Sequence, residues 1–217
     1  MLATLFCLSA LVALSRAHGY ISLVSGRNCV DGVGFGVTDK VGEEPSFDRN
    51  IVSRFASATA PVGCGSSIAD GNIDIARFTN ESIAAGLPSF ATGQALDVTY
   101  VQINSGPDGG GPLRAFIDKS GTGRAFVPVP MAANIDEQGR GNTAHSVAIA
   151  VPSQLTCAGV GGSCLFAVVN PLRFGTCFVA KPTKISKLRA HARKTASLRM
   201  IRRTRRSLPR RSLAVQQ

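Results

Sequence analysis

A chain of 217 residues with 24 Lys and Arg against 13 Asp and Glu carries a formal net charge of +11, which on its face asks for a polyanionic partner. The excess is local: from Lys181 onward there are 13 basic residues and no acid, leaving residues 1–180 with 11 bases against 13 acids. A basic character of the whole domain is thereby excluded, and any polyanion-binding role belongs to the C-terminal tail.

The run "LATLFCLSALVAL", Leu2 to Leu14, is too short to span a bilayer and is followed by Ser15-Arg16-Ala17, small residues at the −3 and −1 positions of a cleavage site. Residues 1–17 read as a secretory signal peptide. No later segment is apolar for long enough to form a transmembrane segment, so the mature chain is expected to be secreted and extracellular.

Cleavage before His18 would set an α-amine and an imidazole on one residue, a chelate that suits copper if a second imidazole joins it. His145 is the remaining histidine outside the tail, since His191 lies within it. The plain alternatives are a solvated terminus for His18 and a hydrogen-bonded surface residue for His145. Five cysteines follow the signal. Cys157 and Cys164 flank the loose "AGVGGS" loop and form a natural disulfide, Cys29 with Cys64 is the remaining long-range pairing, and Cys177 would then be a free thiol. Spacing alone does not fix that connectivity.

"FTNESIAAGLP", residues 78–88, predicts one short helix, with Thr79 as cap, Glu81 in the first turn, Gly86 at the left-handed end position and Pro88 as the stop. Asn80-Glu81-Ser82 is also a glycosylation sequon. Strands are expected in "ALDVTYVQIN", "LRAFID", "RAFVPVP", "HSVAIAVP" and "CLFAVVN", separated by turn-rich stretches such as "SGPDGGGP" and "DEQGRGN". Short strands at this spacing point to an antiparallel sandwich or barrel. The tail, residues 181–217, has no acid and no aromatic residue and is expected to be disordered, with dibasic pairs such as Arg205-Arg206 as processing sites.

Catalytic patterns are scarce. Asp74 with Glu81, or Asp136 with Glu137, could be imagined as a glycosidase pair, but solvated carboxylates are the simpler reading. "KSGTGR", residues 119–124, lacks the ending and helix of a phosphate loop, and no Cx₂C zinc pattern or GxSxG elbow occurs.

Several stretches together resemble a family of secreted fungal virulence factors expressed during infection, described from appressoria and powdery mildew. They are "HGYISLVSG" after the signal, "RNC" at 27–29, "CGSSIADGNIDIARFTNESIAAG" at 64–86, "VTYVQINSGPDGGGP" at 98–112, "VAIAVPSQLTCAGVGGSC" at 147–164 and "FGTCF" at 174–178. The resemblance implies a secreted β-rich domain acting at the boundary with the host. It also implies similarity to lytic polysaccharide monooxygenases, whose copper brace would use His18 and a second histidine at a position that reads Val101 here. Phe174 or Phe178 would fall where an axial aromatic is expected, and Val168 stands near a family cysteine.

The expected architecture is mainly β: an antiparallel immunoglobulin-like β-sandwich over residues 18–180, with one short helix and a disordered basic tail. The leading function is a non-catalytic infection factor that meets a host or cell-wall surface component, a polysaccharide among the candidates, without a cofactor. Without Trp and with only two Tyr, a flat sugar-stacking platform is disfavoured. The alternatives are a copper-dependent polysaccharide monooxygenase using His18 and His145, and an anionic surface held by the tail through unspecific attraction, with no specific nucleic acid.

Overall fold

The computed structural model describes residues 19–37, 53–67, 71–103, 105, 109–135 and 140–183. Its strands are β1 (Gly19–Val24), β2 (Ser53–Arg54), β3 (Ser66–Ser67), β4 (Gly71–Asn72), β5 (Ser89–Phe90), β6 (Ala95–Gln102), β7 (Arg114–Asp118), β8 (Val127–Val129), β9 (Met131–Ala133), β10 (Thr143–Ala150), β11 (Cys164–Val169) and β12 (Phe174–Pro182). Among the described residues one α-helix, α1 (Ile75–Ala85), lies between β4 and β5, and one 3-10 turn spans Val160–Gly162.

The strands form two sheets. A smaller one has the order β1-β6-β10-β9, and a larger one the order β4-β3-β2-β12-β11-β7-β8, with β5 running parallel beside β12. All other pairings are antiparallel.

Side-chain alternation explains how the sheets stack. In β6, Leu96, Val98, Tyr100 and Gln102 are buried while Ala95 and Asp97 are exposed, the signature of a strand covered on one face. β11 reads "CLFAVV" and is buried at every residue. Cys164, Phe166 and Val168 face the core shared with Ile21, Val98, Tyr100 and Ile149 of the smaller sheet. Leu165, Ala167 and Val169 face the other way, into a second cluster with Phe35, Phe55, Ile73 and Leu87, flanked by Ile75, Phe78 and Ile83 of α1. The larger sheet is thus the middle layer of three, which is why its central strand shows no polar alternation.

The helix begins earlier than the sequence reading placed it. Asp74 is the cap, its carboxylate accepting from the Arg77 backbone N–H at 3.0 Å, and Thr79 sits buried inside the helix. The earlier start gives Ile75, Phe78 and Ile83 one common face, so the apolar stripe rather than the hydroxyl sets the register. Phe78 stacks on Phe35 at 5.5 Å between ring centroids. Gly86 ends the helix at φ 102°, its N–H returning to the Ile83 carbonyl.

Cysteine pairing also departs from the reading. Cys64 is joined to Cys177, with Cα atoms 5.7 Å apart, and Cys157 to Cys164. Cys29 is free and exposed. The pairing of Cys29 with Cys64 is therefore replaced, because Cys177 on β12 points into the second cluster where Cys64 lies, whereas Cys29 stands in a surface turn at φ 59°. Strand β12 extends through Pro182, two residues past the expected domain limit at 180. The signal segment and the basic tail beyond Thr183 lie outside the described residues.

Candidate functional site

Two places bring chemically interesting side chains together. The first is the edge where the chain enters the fold. β1 pairs with β6 so that Gly19 faces Gln102, Tyr20 faces Val101 and Ile21 faces Tyr100. The Tyr100 hydroxyl is buried and donates to the Gly109 carbonyl at 2.9 Å. Burial pushes its phenol above the ordinary range, and a hydrogen bond with Asn170 offsets only part of that. The Ile21 N–H, on the far edge of β1, donates to the Thr176 hydroxyl at 3.2 Å and ties β1 to β12.

At this edge Tyr20 and Ile103 form a small apolar cluster, against which Val37, Val101 and Phe174 pack. Of the positions implied by the copper-brace resemblance, Val101 and Phe174 therefore meet, and both bring hydrocarbon. Val101 offers no donor atom. His145 pairs in register with Tyr100, one residue from the Ala144–Val101 pair, and so projects from the opposite face of the sheet. Its Nε2 is buried without a hydrogen-bond partner among the described residues. Phe178 lies in the core, stacked on Phe166 at 5.1 Å, which leaves Phe174 as the aromatic beside Val101. His18 lies outside the described residues. Among those residues no group of three His, Cys, Asp or Glu could hold a metal, and Tyr20, Val101, Ile103 and Phe174, the described residues of this edge, supply no imidazole to a copper brace.

The imagined carboxylate pairs have structural occupations or lie out of view. Asp74 caps α1, and Glu81 stands 3.7 Å from Arg77 one helical turn away. Asp136 and Glu137 lie outside the described residues. Asn80 of the sequon is exposed on α1.

The second place is a cleft of about 520 Å³ between the start of α1, the turn after β7 and the loop before β11. Asp74, Asn80, Ser120, Thr122 and Ser163 are among its polar lining residues, and Ile75 and Val160 are among its apolar walls. Its β7 side is built around Asp118, a fully buried carboxylate. One oxygen accepts from the Ser120 N–H at 2.8 Å and the Ser120 hydroxyl at 2.6 Å, the other from the Arg124 N–H at 3.1 Å. Burial alone would raise the Asp118 pKa, but the hydrogen bonds from Ser120, Ala125 and Gly123 outweigh it and hold the carboxyl below its usual value.

Thr79 lies at 5 % exposure in this lining, and its Oγ1 has no hydrogen-bond partner among the described residues. In the sequence "KSGTGR" carries only turn signals and Thr79 only the chemistry of a cap, so neither points to this cleft. An Asp followed at two and four residues by Ser and Thr was the available signal of a carboxylate-organised loop.

The chain's likeness to known proteins is broad in extent. The family model described as Egh16-like virulence factor matches residues 16–175, which take in both the apolar edge and the cleft. Neither a curated protein nor a solved structure matches the chain.

Proposed function

The chain belongs to the Egh16-like virulence-factor family, and from that premise we propose that it is an extracellular infection factor that acts by binding a component of the host or cell-wall surface. The observation that carries this reading is the match across nearly all of the described domain. Two disulfides in a domain of this size suit an oxidising exterior. Among the described residues no helix is long and apolar enough to cross a membrane.

On this reading the two facing antiparallel sheets are an immunoglobulin-like sandwich that serves as a scaffold. Surface recognition falls to the loops and helix laid over it. Asn80, exposed on α1, is the acceptor for an N-linked glycan in the secretory pathway. The fungal infection context and the signal before His18 are parts of the same reading.

The test uses the full chain secreted from a fungal host, with its N-terminus and mass measured first. The protein is then sedimented with insoluble chitin, cellulose, β-glucan and isolated host wall, and soluble products are measured in parallel. Retention on one of these materials without product release supports the reading. Failure to bind any of them, or turnover of a wall polymer, overturns it.

A further inference from the structure

Strand β12 closes the C-terminal side of the fold. Lys181 and Pro182 run in register beside Ser89 and Phe90 of β5, and Thr183 donates its N–H to the Phe90 carbonyl at 2.7 Å and its hydroxyl to that of Ser89 at 3.3 Å. Among the described residues, neither main core cluster uses a side chain beyond Ala180, and the family match ends at residue 175. Neither core packing nor family membership therefore calls for the segment from Lys184 onward.

That segment carries a pattern of its own. It holds no Asp, Glu, Phe, Tyr or Trp, and its bases gather into Arg193-Lys194, Arg202-Arg203, Arg205-Arg206 and Arg210-Arg211, whereas residues 1–192 contain no adjacent pair of Lys or Arg. Pairs alone follow from so basic a composition. The more selective signal is Arg203-Thr204-Arg205-Arg206 followed by Ser207.

Proteases of the export route that cut after paired bases read them through acidic subsites: at the residue before the bond, the one preceding it, and the fourth back. An arginine fills such a subsite with a bidentate fork that lysine lacks, which makes Arg193-Lys194 the poorer pair. The fourth residue back is His191 for that pair, Met200 for Arg202-Arg203 and Leu208 for Arg210-Arg211. For Arg205-Arg206 it is Arg203. With no acid in the segment, nothing within it competes with the subsites for these guanidinium groups.

We propose that the bond between Arg206 and Ser207 is the first maturation site of the chain, hydrolysed by a dibasic-specific processing protease during export. Water adds across the amide, leaving a carboxylate on Arg206 and an amine on Ser207, and the fragment from Ser207 departs with Arg210 and Arg211. Holding no competing pair, the domain survives the protease that trims its tail. The inference rests on the extracellular reading above, because an exported chain is the one that meets such a protease.

The experiment compares the chain secreted by a fungal host with that from the same host lacking its dibasic-specific protease, by intact mass and C-terminal peptide mapping. The chain from the deficient host should run to Gln217, and that from the normal host should lack Ser207–Gln217. Treating the uncut chain with the purified protease should give a first product that ends at Arg206 and melts at an unchanged temperature. Arg206→Ala should abolish that cut, and Arg203→Ala should slow it about tenfold or more, the loss of one charge-assisted hydrogen bond. Arg210→Ala, beyond the residues that are read, should leave the rate unchanged.

A chain from the normal host that still runs to Gln217 overturns the proposal. So does a first cut at any other bond, or cutting of Arg203→Ala at the wild-type rate. If no chain is exported, the extracellular reading fails, and digestion of full-length chain purified from cells still decides the bond.

Discussion

The Tyr100 hydroxyl lies so close over Gly19 that a Cβ on that glycine would overlap it. The same hydroxyl is anchored on the far side by the Gly109 carbonyl, so the ring has no free direction of retreat. Gly19→Ala is therefore expected to destabilise the fold by about 1–3 kcal/mol, an overpacking cost. Tyr100→Phe should cost about 1 kcal/mol for the lost hydrogen bond. The double variant should cost less than the sum, because removing the hydroxyl vacates part of the space the methyl needs. Denaturant unfolding of the four proteins measures the coupling, and strict additivity would show that the two residues do not compete for space.

Tyr100 also predicts an alkaline limit. Its folded pKa is raised above the ordinary phenol value of about 10. Between the unfolded and folded values the unfolded chain has lost the proton that the folded chain retains. Stability associated with the neutral phenol is thus complete below about pH 10 and declines as pH rises beyond it. Unfolding followed through that range should show a downward slope that Tyr100→Phe reduces. An identical slope in the variant would assign the alkaline loss to other groups.

What the sequence revealed of the fold follows from how local each signal is. The strand at "HSVAIAVP" was legible because Val147, Ile149 and Val151 repeat at period two and are buried as that period requires. The fully apolar "CLFAVV" was legible as a strand, but its burial on both faces depends on α1 and the segment around Phe55, which periodicity in β11 cannot reveal. The helix start was misplaced because Thr79 and Asp74 are both competent caps, and only packing against Phe35 and the second cluster distinguishes them.

Asp118 should govern the acid limb. Its hydrogen bonds hold its pKa below the ordinary carboxylate value. Its contribution to stability is therefore present above the unfolded value of about 3.9 and lost as pH falls through the lower folded value. Asp118→Asn loses charge-assisted acceptors for Ser120 and Arg124 and should cost about 1–3 kcal/mol near neutral pH. Its penalty should shrink as the wild-type carboxyl protonates. A penalty equal at about pH 7 and about pH 2 would indicate that shape, not charge, organises the loop.

The cysteine arrangement predicts which thiol reacts. Cys29 is exposed, whereas Cys64 and Cys177 close a loop with a sequence separation of 113 residues. Under non-reducing conditions the folded domain should take up maleimide at Cys29, and Cys29→Ser should abolish that uptake with little change in stability. Cys64→Ala should cost about 2–5 kcal/mol, the usual range for a native disulfide in a secreted domain. Peptide mapping that finds the label on Cys177 would refute the pairing. Sequence spacing could not decide this, because Cys64 meets Cys177 only after β12 joins the middle sheet.

The candidate site was legible in parts that did not belong together. The copper reading joined His18 and His145 because imidazoles are visible in a sequence, while the register that turns His145 away from Val101 is not. Val101, Tyr20 and Phe174 instead enclose one another with Ile103. If the chain is cut before His18 as proposed, the protein is expected to bind copper no more tightly than a free His-Gly-Tyr peptide, which would carry the same terminal amine and imidazole. Competition titration of the two against a common chelator makes the comparison. An affinity well above that of the peptide, lost when one residue is added before His18, would mean that the fold supplies a further nitrogen. Val101→His is the complementary variant: it places an imidazole opposite Tyr20, and a gain in affinity there would show that hydrocarbon at position 101 is what withholds the metal.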